Sequence, residues 1–205
     1  RDQALKRMLD IVGSLVGCIL SIPIIAIVAI PLKLESPGPL VFKQRRVGRN
    51  GRVFYIHKLR SMYVDAEERK KELMARNEMN GLMFKMQDDP RITKVGKFIR
   101  KTSIDELPQF FNVLKGDMSL VGPRPEVPYH VEHFKEEIPR YLVRQQVRPG
   151  CTGWAQIHGL RGDTDIAERI RYDIWYIENW TVALDIKIIF RTVFGGKMVN
   201  NEKLQ

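Results

Sequence analysis

The chain has 205 residues and a formal net charge of +10. That length holds one domain with a core, or one domain plus a membrane element, and the charge implies anionic partners: nucleic acid, acidic lipid or a phosphorylated substrate. The only cysteines, Cys18 and Cys151, argue against a disulfide framework and favour a reducing compartment, while an opening Arg rather than Met leads us to expect residues upstream.

From Ile11 to Leu32 there are 22 consecutive residues without a charge. As one straight helix they reach roughly 33 Å, enough to cross a bilayer, and the run is too long for the apolar core of a signal peptide. Pro23 at its centre removes a helical hydrogen bond and predicts a kink. Arg1, Lys6 and Arg7 flank one end and Lys33, Lys43, Arg45 and Arg46 the other. Basic flanks mark the cytoplasmic side, so the pattern puts a re-entrant hairpin ahead of a single span.

Turn residues Ser36 to Pro39 follow, then two β-rich runs around Val41–Phe42 and Val53–Ile56, separated by Gly48, Asn50 and Gly51. They predict a small hairpin at the membrane surface. Lys33 to Arg60 carries eight basic side chains against one acid, Glu35. Attraction to anionic headgroups explains them; a substrate phosphate site, with Lys58 and Arg60 as candidates, is the sharper reading. Residues 64–79 have the charge spacing of an exposed helix. Gly116 is placed as a helix stop. In the loop around Pro149-Gly150, Arg140, Arg144, Arg148 and Arg161 stand without an acid among them. Asp165 is placed to cap a helix with Ile166, Ile170, Ile174 and Ile177 on one face. "NWTVALDIKIIFRTVF" reads as a core helix or one lying in the membrane interface.

The chemistry centres on Asp105 and Glu106, which follow a stretch, Arg91 to Ile104, with five basic side chains and no acid. Ser103-x-x-Glu106 has the spacing of a capping box, but Pro108 would then fall inside the helix, whereas a helix begun near Leu107 tolerates it. Asp105 also reads as a surface acid balancing Arg100 and Lys101. The functional reading is an aspartate at a helix start, kept ionised by arginines, that attacks phosphorus and forms an acyl phosphate. Arginine forks and a hard divalent cation such as Mg²⁺ would shield the attacked centre.

"KTSIDELPQFFNVLKGDMSLVGPRP", with "VRPGCTGWAQIHG" and "YDIWYIENW", resembles the bacterial sugar transferases, monotopic polyprenyl-phosphate phosphoglycosyl transferases, from about Leu5 to Phe194. The resemblance implies transfer of a sugar phosphate from a UDP-sugar to undecaprenyl phosphate at the bacterial inner membrane, releasing UMP. That is the first membrane step of an exopolysaccharide, capsule or O-antigen, with UDP-glucose ahead of UDP-galactose. It implies Asp105 as covalent nucleophile, Glu106 beside it, Mg²⁺ at the two acids, and Arg100, Arg124 and Arg148 around the phosphates. The fold expected is α+β and mostly helical: a re-entrant membrane hairpin over residues 1–35, then a cytosolic catalytic domain over 36–205 with a short β-hairpin and interfacial amphipathic helices. The family's kink carries an adjacent Ser-Pro pair; here it reads Ser21-Ile22-Pro23. Ser21 is placed for the carbonyls of Gly17 or Cys18, so the stabilisation of the kink is unexplained.

Two other readings fit parts of the chain. A basic membrane-surface adaptor for anionic lipid explains charge and apolar run without chemistry. A metal hydrolase would use His130 and His133, which lack further ligands. Nucleic acid ranks low, since aromatics are not interleaved on a basic sheet. A homodimer is left open.

Overall fold

The computed structural model describes residues 2–73, 89–162 and 164–195. Its first element, α1, is one helix over Asp2–Glu35 with Pro23 and Pro31 inside it, and it is long and apolar enough to cross a membrane. Where the sequence predicts two arms separated by a turn, the structure has a single helical element. Ser21 Oγ donates to the Gly17 carbonyl at 2.6 Å, the back-bond expected of it.

Both ends of α1 are tied to the same globular unit. At the N-terminal end Lys6 Nζ reaches Asp185 at 2.6 Å and the Val121 carbonyl at 3.1 Å, and Arg7 donates to the Val113 and Leu114 carbonyls at 2.7 Å each. Buried Asp10 accepts from Ser119 Oγ and the Leu120 N–H at 2.8 and 2.9 Å. At the other end Glu35 accepts the Lys94 and Val95 N–H groups, while Val28 packs with Leu59 and Ile99. Gly13 and Gly17 allow the close approach between: a Cβ there would stand 2.5 Å from Leu120 and 2.7 Å from Phe110. Ile19, Leu20, Ile22, Ile27 and Ile30 stay exposed. These apolar side chains have no protein to bury them.

The predicted hairpin forms from β1 (Val41–Val47) and β2 (Val53–Leu59), antiparallel from Val41↔Leu59 to Val47↔Val53. Asn50 (φ 55°) and Gly51 (φ 75°) make its turn. The helix predicted over 64–79 is α2, Ala66–Leu73, entered from a turn at Val64 and Asp65; residues 74–79 lie outside the described residues. Next come α3 (Lys94–Lys101), capped by Thr93, and α4 (Gln109–Lys115), which ends on left-handed Gly116 as expected. β3 (Ser119–Val121) pairs in parallel with β4 (Gly150–Thr152). Between them lie α5 (Pro128–Glu137) and a 3₁₀ stretch, Tyr141–Gln146. After β4 come α6 (Trp154–Ile157), α7 (Ile166–Glu178), N-capped by Asp165, and α8 (Val182–Phe194).

The main core joins Phe54 and Ile56 of β2 to Val113, Met118, Val121, Tyr176 and Ile188. α8 buries Asp185 and Ile188 but exposes Ile186, Phe190, Val193 and Phe194, so it is amphipathic with an uncovered apolar face.

The β3–β4 pair is too short for strand periodicity to announce, and it depends on glycine. A Cβ on Gly150 would lie 2.1 Å from the Gly122 nitrogen and 2.4 Å from the Thr152 carbonyl oxygen, both backbone atoms. Gly150→Ala is therefore expected to cost about 3 kcal/mol, the upper end of overpacking penalties, and to lower the thermal midpoint of the detergent-solubilised protein. An unchanged midpoint would show that the two loops separate freely.

Candidate active site

The paired acids sit in a 3₁₀ turn, Ile104–Glu106, between α3 and α4. Ser103 precedes it in the left-handed conformation (φ 58°) and makes no side-chain cap, so the capping-box reading is not realised. Pro108 instead stands at the N-cap of α4, where its missing N–H does no harm.

The carboxylates have opposite surroundings. Glu106 Oε1 accepts from Lys58 Nζ at 2.9 Å and Arg124 Nη2 at 2.7 Å, and Oε2 accepts from Arg161 Nη2 at 2.9 Å. Burial pushes its pKa up, but Arg124, Lys58 and Arg161 overcome that and hold it well below the ordinary range. Asp105 is also largely buried, yet among the described residues its carboxylate makes no hydrogen bond or ion pair. Burial raises its pKa, Glu106 raises it further, and Lys58, Arg100 and Arg124 oppose this without reversing it. Arg100 and Arg124 thus favour the ionised form of Asp105, as expected of nearby arginines, but the direct contacts of Arg124 and Arg161 are with Glu106. Lys58, itself half-buried, has its pKa lowered by desolvation.

β2 brings Lys58 to the site, and fully buried Asn112 fixes β2 against α4: its Oδ1 accepts the His57 N–H at 3.0 Å and its Nδ2 donates to the Tyr55 carbonyl at 2.7 Å. Arg124 arrives on the irregular segment after β3. Arg144 donates to the Arg124 carbonyl at 2.6 Å and Arg46 to the Pro125 carbonyl at 3.0 Å; Glu126 takes Arg169 at 3.2 Å. Arg144 also pairs with Asp173 at 2.9 Å. This buried network holds the backbone from which Arg124 projects.

Within it, burial would raise the Glu126 pKa, but His130, Arg144, Arg169 and Arg46 bring it down to about 2. A depressed folded pKa stabilises above the unfolded value near 4.5 and loses that contribution as pH falls toward 2, a term of about 3 kcal/mol at neutral pH. Glu126→Gln is expected to destabilise most at pH 7, with the gap from wild type narrowing in denaturation curves taken down to pH 3. A gap independent of pH would contradict this.

Of the residues predicted from sequence, the structure gathers Asp105, Glu106, Lys58 and Arg124, with Arg100 near enough to act on Asp105. It does not bring Arg60 or Arg148 to the pair. Arg60 is buried and donates to the carbonyls of Ser36 and Pro37, closing the turn after α1. Arg148 Nε donates to the Gly116 carbonyl at 2.9 Å, at the far end of α4. Ser21 and Pro23 lie within α1, away from the acids in sequence and element. Sequence reasoning placed Arg161 in a basic loop but missed it as a site residue; its signal is the setting "HGLRGD", where Gly159 (φ 84°) and Gly162 (φ 77°) shape the loop.

No group of three or more His, Cys, Asp or Glu among the described residues could hold a metal alone. His133 Nδ1 lies 2.9 Å from the Tyr129 carbonyl, and His130 lies 3.7 Å from Glu126, so α5 offers no zinc site. For Mg²⁺, Glu106 has both oxygens committed to cations, whereas Asp105 is open. The residues fit an ion that takes one carboxylate and draws its other ligands from substrate phosphates and water.

A profile of bacterial sugar transferases matches residues 1–198. The chain belongs to this family. Among its relatives, a galactosyl transferase, CpsE, of Streptococcus agalactiae is 53% identical over 188 residues, 92% of this chain and 41% of that protein. A UDP-glucose:undecaprenyl-phosphate glucose-1-phosphate transferase of Escherichia coli is 46% identical over 199 residues, 95% of this chain and 40% of the relative. A UDP-N-acetylgalactosamine-undecaprenyl-phosphate N-acetylgalactosaminephosphotransferase of Aeromonas hydrophila is 47% identical over 191 residues, 92% and 43%. The chain spans about two-fifths of the length of these relatives, whose names differ in the sugar.

Proposed function

We propose that the chain transfers a sugar-1-phosphate from a UDP-sugar to undecaprenyl phosphate in two displacements. An Asp105 oxygen attacks the phosphorus bearing the sugar, the bond to UMP breaks, and UMP leaves with its electron pair. A phosphate oxygen of the lipid then attacks the same phosphorus and displaces the Asp105 carboxylate, leaving the lipid diphosphate sugar. The supporting observation is the division of labour in the pair: Glu106 gathers Lys58, Arg124 and Arg161, and Asp105 beside it is uncommitted. Three cations on one acid form a cradle for a diphosphate next to a free nucleophile. Mg²⁺ bound at Asp105 would add neutralisation of phosphate charge. The acceptor needs little help from a base, because a phosphate monoester with a second pKa of about 6 is mostly dianionic at neutral pH.

The membrane half of the proposal rests on α1. Its exposed apolar middle and its two ends, both fastened to one globular unit, suit a helix that enters and returns to one leaflet, with the site on the cytosolic face of the inner membrane. Cysteines placed before Asp10 and after Lys33 would both react with an impermeant label added to one side of sealed vesicles. Labelling of just one would establish a span.

The reaction is tested by offering the lipid-reconstituted protein a panel of UDP-sugars with Mg²⁺ and a short polyprenyl phosphate, recording UMP. We place UDP-glucose ahead of UDP-galactose. Rapid quenching with radiolabelled donor should trap sugar and phosphate on Asp105; product formed with no protein-bound label would overturn the covalent route.

A further inference from the structure

A cavity of about 380 Å³ opens between the turn of the β1–β2 hairpin and the C-terminal end of α4. Arg49, Arg52 and Arg148 line it, with Phe54 and Gly116 as walls and Asp117 as the one acid. That acid pairs with Lys115 at 3.1 Å, so three arginines face one carboxylate already shared with a lysine. Arg148 is half-buried and oriented by its Nε bond to Gly116; among the described residues its other nitrogens, and the guanidinium groups of exposed Arg49 and Arg52, make no hydrogen bond or ion pair. Three like charges collected around a concavity against a single carboxylate favour an anionic ligand. The left-handed Asn50 and Gly51 fold the turn that sets Arg49 and Arg52 on its two sides.

This cavity is separate from the paired acids. Both elements that join the two places run from one to the other: β2 from Phe54 to Lys58, about 13 Å, and α4 over its seven residues to Gly116, about 10 Å. No side chain that contacts Glu106 lines it. Arg7 borders it, because a Cβ on Gly116 would lie 3.5 Å from Arg7 Nη2. Arg7 stands four residues, about 6 Å of helix, before the apolar run begins at Ile11. On the proposed membrane placement of α1, that sets the cavity at headgroup depth.

We infer that this cavity is a second anion site, binding a phosphate-bearing ligand apart from the reacting donor. A lipid phosphodiester and a soluble phosphate ester present the same chemistry to three guanidinium forks.

The test uses the full chain in phosphatidylcholine nanodiscs, with saturating UMP to occupy the donor site and inorganic pyrophosphate as probe in calorimetric titration. Wild type is expected to bind pyrophosphate under these conditions. Arg49→Ala combined with Arg52→Ala should weaken that binding about tenfold or more, while leaving the thermal midpoint and UMP release unchanged. If phosphatidylglycerol in the discs displaces the pyrophosphate, the occupant is a headgroup; if it does not, the occupant is soluble, and either result supports the site. Equal binding by the double variant, or no binding by wild type once UMP is present, overturns it. A protein that binds pyrophosphate this way but releases no UMP from any UDP-sugar would instead defeat the transferase proposal and leave the second site standing.

Discussion

Asp105→Asn is expected to reduce UMP release by roughly 10⁴-fold or more, the scale of losing a covalent nucleophile, while leaving the protein folded. The substitution preserves shape, and Asp105 makes no hydrogen bond among the described residues that an amide would break. The direction of its pKa carries a second consequence. Burial and Glu106 raise it above the model-peptide value of 3.8, so the folded state binds this proton more tightly than the unfolded chain. Ionising Asp105 therefore costs stability once the pH exceeds the unfolded value, and a neutral Asn avoids that cost. The variant should unfold at the same temperature as wild type or higher. In metal-free wild type, the Asp105 carboxyl followed by NMR should titrate above the ordinary aspartate range. Activity within tenfold of wild type would remove Asp105 from the reaction, and a falling midpoint would mean its charge stabilises the fold.

Glu106→Gln should do something different. It leaves Lys58, Arg124 and Arg161 around a neutral group, breaking a buried set of ion pairs, and such losses run to about 3–5 kcal/mol. Turnover should fall by about 10²–10³-fold as the phosphate cradle loosens. Whatever activity remains should show its acid limb at lower pH than wild type, since Glu106 raises the Asp105 pKa and the cations left behind lower it. Measuring kcat against pH in the two proteins separates this from a general-base role, which would instead erase the limb. A limb that stays put or climbs would refute the electrostatic coupling.

Much of this site can be read from the chain. The Asp-Glu pair, the hairpin that carries Lys58, the Gly116 stop and the Asp165 cap all follow from local chemistry, because each depends on neighbours a few residues away. Arg161 does not, since its link to Glu106 spans 55 residues and the loop bearing it has no periodicity. The β3–β4 pairing is equally hidden: three residues per strand give no alternation to detect, and its visible trace is the demand for glycine at positions 122 and 150. The sharing of cations between the two acids is hidden for a related reason. Counting nearby arginines gives the sign of the field, but which carboxylate they serve is decided by geometry, and Glu106 stands in contact with them. Arg148 shows the converse case, where a basic residue in a long motif lies at the opposite end of α4 from the acids.

The fastening of Lys6, Arg7 and Asp10 to β3, α4 and α8 makes the apolar helix part of the globular body. Truncating it to obtain a water-soluble protein would strand Asp185 without its lysine and strip the carboxylate from the Leu120 amide, within the strand that leads to Arg124. Any preparation for crystallography or inhibitor screening should therefore keep the first two dozen residues and supply a detergent or lipid to cover them.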